Sequence, residues 1–267
     1  TFSSVFGKTM CAMAIEDRKI CAITAAMEQG TGLSQFANDY PKHFFDVGIA
    51  EGHAVTMASG LAKQGMLPVV AVYSTFLQRA YDMMIHDTAI ANLHVVFAVD
   101  RAGLVGADGE THHGVFDVSY LRTVPHMKLF APASTEELRR TLHHAVYDVT
   151  GPVAVRYPRG GNELYSDCIL ENTVLHEGSD VTVVCYGAMV SEAMRAQMLL
   201  DKDNLQLDIV KLWHLAPLDL SLIVESVKKT GRLIILEEDV RQGCLGQEIL
   251  AGLAELGVVP EQVKLMN

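Results

Sequence analysis

His94-Val-Val-Phe-Ala-Val-Asp100 runs straight into Arg101-Ala-Gly-Leu-Val-Gly-Ala-Asp-Gly-Glu-Thr-His-His-Gly114, and this junction decides the fold. The first stretch is apolar and β-branched up to its closing Asp, as expected of a strand covered by helices on both faces. The second is a loop in which Gly103, Gly106 and Gly109 let the backbone come close to a ligand. A buried strand feeding such a loop is what a doubly wound parallel sheet presents at its carboxyl edge, where ligands bind.

Working outward, short strands alternate with helical periods. Phe2 to Glu16 reads as a helix with Ser3 and Ser4 as N-caps, and Lys19 to Thr24 as a strand. Leu33 to Asn38 is a short helix, Phe44 to Gly48 is extended, Glu51 to Lys63 is a helix and Leu67 to Tyr73 a strand. Thr75 to Ala91 reads as one long helix. Asp117 to Leu121 is a helical turn, Met127 to Phe130 a strand, Ser134 to Asp148 a helix and Val153 to Arg156 a strand. Ser134 and Glu137 have capping-box spacing. Gly160 to Ser179 is polar and weakly patterned, a linker with one strand in it. A second alternating block follows, with strands at 180–186, 206–210, 232–236 and 263–266, and helices at 190–200, 220–229 and 247–256. The expected fold class is α/β: two doubly wound domains with mainly parallel sheets, at 1–161 and 180–267, joined by a linker at 162–179.

Composition narrows the function. Of the 267 residues, 49% are apolar and 20% charged, the balance of a packed globular chain. A net charge of −11 without a basic run argues against nucleic acid and against an anionic membrane surface. No apolar run reaches eighteen residues, so no membrane span is expected. The five scattered cysteines read as reduced thiols in a cytoplasmic protein. The chain opens without Met or a signal peptide and stops at Val263-Lys-Leu-Met-Asn267, inside a strand, which reads as a truncated piece.

Candidate chemistry gathers after the strands of the first block. Glu51 opens a helix among apolar neighbours; it is either a helix-start acid or a desolvated carboxylate that needs a ligand nitrogen. Arg101 and Arg159 could clamp a phosphate, although each taken singly also reads as a surface arginine. His112 or His113 could move a proton or steady an oxyanion; two adjacent histidines lack metal-ligand spacing, so no metal site is expected. Phe76, in Tyr73-Ser-Thr-Phe-Leu-Gln-Arg79, is either core or a stacking platform. There is no phosphate loop, no dinucleotide fingerprint and no nucleophile elbow.

Six stretches resemble the 1-deoxy-D-xylulose-5-phosphate synthases, thiamine-diphosphate enzymes of the transketolase superfamily. They are 45–55, 73–82, 85–87, 100–109, 116–122 and 155–160. The resemblance implies a transketolase pyrimidine-binding domain followed by most of a transketolase C-terminal domain. The family's N-terminal domain would be missing, and with it the Gly-Asp-Gly motif that holds diphosphate and Mg²⁺. It implies that Glu51 bonds the cofactor's pyrimidine nitrogen, that Phe76 stacks on that ring and that Arg79 also contacts the cofactor. Tyr73, Arg101, Asp108 and Arg159 would meet the substrates, and His112 would exchange protons. Pyruvate, after decarboxylation, would condense with D-glyceraldehyde 3-phosphate in a homodimeric cytoplasmic transferase that feeds isoprenoid and thiamine biosynthesis. By itself the piece would be inactive. The family commonly carries Gln after the catalytic Glu; here Gly52 stands there, which should loosen the helix start. Two alternatives stay open: the β subunit of a 2-oxoacid dehydrogenase, and a non-catalytic module that dimerises or binds a ligand.

Overall fold

The computed structural model describes residues 1–161 and 163–267; Asn162, the first residue of the expected linker, lies outside them. The first half is built on strands β1 (Ile20–Thr24), β2 (Phe44–Asp46), β3 (Leu67–Tyr73), β4 (Val96–Asp100), β5 (Lys128–Phe130) and β6 (Val153–Arg156). The second half holds β7 (Thr173–His176), β8 (Val181–Tyr186), β9 (Leu207–Leu212), β10 (His214–Ala216), β11 (Arg232–Leu236) and β12 (Gln262–Met266). One sheet has seven strands in the order β10-β5-β6-β4-β3-β1-β2, and the other has five, β12-β11-β8-β9-β7. The fold class is the expected one: strand pairing is parallel throughout, except that β10 on β5 and β7 on β9 form antiparallel edges.

Strand geometry explains why β3 and β4 are apolar up to their closing Tyr73 and Asp100. Alternate side chains leave opposite faces of a sheet. Val70, Val72, Phe97 and Val99 join one buried cluster, while Val69, Ala71, Val96 and Ala98 join another on the opposite face. The first of these clusters continues into Val184, Tyr186, Val210 and Leu212 of the second half, so the two halves share apolar core.

Several expectations need correcting. The cap of the helix Phe2–Glu16 is Thr1, whose hydroxyl accepts from the Ser4 amide; Ser3 instead donates to Asp100 at 2.8 Å. The long helix expected at 75–91 is broken. An α turn at Ser74–Leu77 is followed by a 3₁₀ turn at Gln78–Ala80, an α turn at Tyr81–Met83 and a π turn at Met84–Ala89. The widened turn meets the helix Glu51–Lys63, where Thr56 donates to Asp87 at 2.5 Å and the Ser59 and Thr88 hydroxyls lie 2.7 Å apart. Such π turns are rare single-turn features, found often near functional sites. Ser134 does cap its helix, accepting from the Glu137 amide at 3.1 Å, but the Glu137 carboxylate reaches the Ala133 amide rather than Ser134.

The polar stretch after Gly160 is more firmly held than its composition suggests. Tyr165 is wholly buried, and its hydroxyl donates to Glu137 at 2.6 Å. Lys211 on β9 donates to the same Glu137 oxygen at 2.5 Å and to the Ile169 carbonyl at 2.6 Å. Strand β10 was not expected at all. It leaves the second half and adds to the edge of the first sheet, His214 opposite Phe130. Trp213, just before it, packs tilted against Phe130 with ring centres 4.5 Å apart and donates to Thr141 at 2.8 Å.

Candidate active site

The first sheet aims its strand ends at one region. Tyr73 ends β3, Asp100 ends β4, and Arg159 lies three residues beyond β6. Glu51 is the first residue of the helix Glu51–Lys63 and is only 3% exposed. Its Oε1 accepts from Arg79 Nη1 at 2.7 Å, while the Arg79 side chain remains half exposed. The Arg79 guanidinium sits 5.1 Å from the centre of the Phe76 ring. Phe76 stacks on Tyr73 at 6.0 Å, and His112 meets both rings edge-on. The Arg101 guanidinium covers the other side of this cluster, 4.2 Å from the Tyr73 ring centre. Asp108 then joins the two remaining arginines: its Oδ2 lies 3.7 Å from Arg101 Nε and 3.0 Å from Arg159 Nε. The eight residues expected at a site thus form one connected array, Glu51–Arg79–Phe76–Tyr73–Arg101–Asp108–Arg159, with His112 beside the rings. His113 stands apart from this chain of contacts and accepts from the Val105 amide at 3.1 Å through Nδ1.

Arg101 is held in the left-handed region, φ 58°, which costs an L-residue on the order of 1–2 kcal/mol. Asp100 compensates for that strain, accepting from the Arg101 amide at 2.7 Å, from its guanidinium at 3.0 Å and from Ser3. Burial pushes the Asp100 carboxyl up to about 6 despite that guanidinium. Arg101 also donates through Nη1 to Ser3 at 3.0 Å and to the Gly30 carbonyl at 2.5 Å, while its buried Nε makes no hydrogen bond among the described residues. Among the described residues Arg159 is bonded through Asp108 alone, and at 44% exposed it keeps donors for a ligand. Arg101, Arg159 and Lys8 line one open cleft of about 500 Å³, a locally cationic patch on an acidic chain. Sequence reading assigns Asp100 no site role and Ser3 only that of a helix cap. A lone carboxylate closing an apolar strand just before an arginine was the available signal for Asp100; Ser3 left none.

Gly52 does not loosen its helix, which starts at Glu51. A Cβ at Gly52 would lie 2.9 Å from Met83 Cε, so the thioether fills the space that a larger residue would need. Among the described residues no group of three or more His, Cys, Asp or Glu is placed to hold a metal ion, and no helix is long and apolar enough to cross a membrane.

Below the site the halves meet through buried charge. Arg156 donates to Asp117 at 2.9 and 3.3 Å and lies over the Tyr186 ring, whose hydroxyl donates to Glu237 at 3.0 Å. Beside them, burial pushes Asp239 up to about 7, with the Asp117 carboxylate adding to the shift, from an ordinary value of 3.8. The folded chain therefore holds a proton there that the unfolded chain has lost between those two values. The stability from this group is full below the lower value and is lost as pH rises through the upper one. Asp239→Asn should abolish that slope: urea midpoints of the unaltered chain should fall between about pH 5 and about pH 8 by more than those of the variant. An identical pH response in both would exclude Asp239 as the source.

Fold and site together define a two-domain α/β protein whose candidate site lies on the carboxyl edge of its first sheet. The chain belongs to the transketolase family: residues 1–163 match the transketolase pyrimidine-binding domain and residues 171–266 the transketolase C-terminal domain. It is 47% identical over 262 residues to the 1-deoxy-D-xylulose-5-phosphate synthase of Halothermothrix orenii, covering 96% of this chain and 41% of that protein. The synthase of Syntrophotalea carbinolica is 48% identical over 272 residues, covering 99% and 43%. The chain thus spans about two fifths of the length of these curated relatives. Among solved structures, one described as a split gene transketolase, inactive beta4 tetramer, superimposes with TM-score 0.87 at 30% identity, covering 99% of this chain and 87% of that one. A transketolase from Pichia stipitis shares the fold, with TM-score 0.76 at 15% identity, covering 99% of this chain and 41% of that one.

Proposed function

We propose that this chain forms the pyrimidine-binding and C-terminal part of a 1-deoxy-D-xylulose-5-phosphate synthase, divided into a domain at 1–161, a linker at 162–179 and a second domain at 180–267. In that role it serves the decarboxylative condensation of pyruvate with D-glyceraldehyde 3-phosphate, the first step of the non-mevalonate isoprenoid pathway. The enzyme is a cytoplasmic homodimer, and this chain alone is inactive. The observation that carries the reading is the continuous array from Glu51 to Arg159, on a chain whose curated relatives bear that name at 46–48% identity.

The residues fit thiamine diphosphate. A buried carboxylate beside an aromatic ring is the donor set for a planar ring with a basic nitrogen. Bound there, the cofactor supplies the nucleophilic carbon and the electron sink. Its diphosphate and Mg²⁺ would be held by polypeptide outside these residues. Glu51 would hold a proton against the pyrimidine nitrogen, Phe76 would stack on the ring, and Arg79 would bridge acid and cofactor. His112 shares one ring nitrogen with the Thr111 hydroxyl at 2.9 Å, which leaves Nε2 to exchange a proton with a substrate oxygen. Arg159, steadied by Asp108, would take the aldehyde's phosphate with Arg101 behind it, and Tyr73 would close the cleft between them.

The test is formation of deoxyxylulose phosphate from the two substrates by the protein carrying this chain. Arg159→Ala should raise KM for glyceraldehyde 3-phosphate about ten- to hundredfold, the loss of one charge-assisted contact, with KM for pyruvate unchanged. Equal effects on both substrates would remove Arg159 from phosphate recognition. Acyl transfer to a lipoyl domain in place of this product would favour the dehydrogenase reading.

A further inference from the structure

The loop from Arg101 to Gly114 is closed at its neck by Gly103 and Gly114, each amide donating to the other's carbonyl at 2.8 Å. Its tip carries Asp108 and His112, and one bond from that tip leaves the first half of the chain. The Leu104 amide donates at 3.2 Å to Glu238 Oε1, on the acidic turn that follows β11. Gly103, at φ +83°, lies so near the same carboxylate that a Cβ there would collide with it. The turn also grips the base of the loop: the Val240 amide donates to Val115 O at 3.0 Å, and Ser119 donates to Asp239 at 2.9 Å. A half-buried carboxylate is thus spent on a backbone amide of the loop, and burial keeps its pKa raised although that amide opposes the shift.

We propose that Glu238 is a positioning residue: from the second half it fixes the 104–113 tip, so that Asp108 stays between its arginines and His112 stays on the aromatic pair. The second half then acts on the site through its grip on a backbone amide of the loop. The consequence for substrates rests on the function proposed above; the ordering of the loop does not.

Glu238→Asp keeps the charge but shortens the reach by one methylene, and Glu238→Gln keeps the reach and an acceptor oxygen. Hydrogen exchange in the protein carrying this chain should speed up across 104–113 by about tenfold or more in Glu238→Asp, and return to within about threefold in Glu238→Gln. Exchange in β4 and in 117–121 should stay unchanged. In turnover, Glu238→Asp should raise KM for the phosphorylated aldehyde about tenfold while KM for pyruvate stays within about twofold. Unchanged exchange at 104–113, or a rise shared equally by 117–121, would overturn the proposal, since a general interdomain role predicts the latter. Absence of synthase activity in the unaltered protein would overturn the proposed function instead, and the exchange pattern would still decide the role of Glu238.

Discussion

Glu51→Gln should lower kcat by about two to four decades while KM for both substrates changes little, because a general acid contributes to the transition state rather than to substrate binding. The side chain is nearly isosteric, so the helix start and the Met83 contact over Gly52 are preserved. What is lost is the capacity to exchange a proton. Glu51 is 3% exposed and, among the described residues, its side chain accepts the Arg79 guanidinium alone, so water cannot readily replace it as a proton carrier. Steady-state kinetics with both substrates checks this, and activity within about threefold of the unaltered enzyme would take Glu51 out of the proton-transfer role.

The second large effect concerns stability. Glu137→Ala should cost about 3–5 kcal/mol, read as a lower urea midpoint at unchanged slope. Glu137 and Lys211 are 0% and 1% exposed, and one carboxylate oxygen accepts from Lys211, from Tyr165 and from the Ile169 amide. Burial already lowers the Lys211 pKa, and removing the carboxylate leaves the ammonium without its counter-ion. Replacing both partners by apolar residues, Glu137→Leu with Lys211→Met, should cost less than the single change, because no buried charge then stands alone. A single-variant loss below about 1 kcal/mol would mean that the pair does not hold the halves together.

What could be read beforehand follows the range of the interactions involved. Strands β1, β3, β4 and β6 are legible because a strand buried on both faces must be continuously apolar. The site residues are legible because they cluster in four short segments, each following a strand of the first sheet. Strand β10 has three residues, and its partner lies on β5, far upstream, so no local pattern marks it. The broken helix at 74–89 has an ordinary helical period; its π turn exists because of Thr56 and Ser59 on another element. Tyr165, Glu137 and Glu238 owe their roles to partners more than 25 residues away.

The crossing of β10 into the first sheet has an optical corollary. Trp213, the chain's single indole, stands at that seam, 7% exposed and bonded to Thr141 from the opposite half. Its fluorescence emission therefore reports whether the two halves are joined.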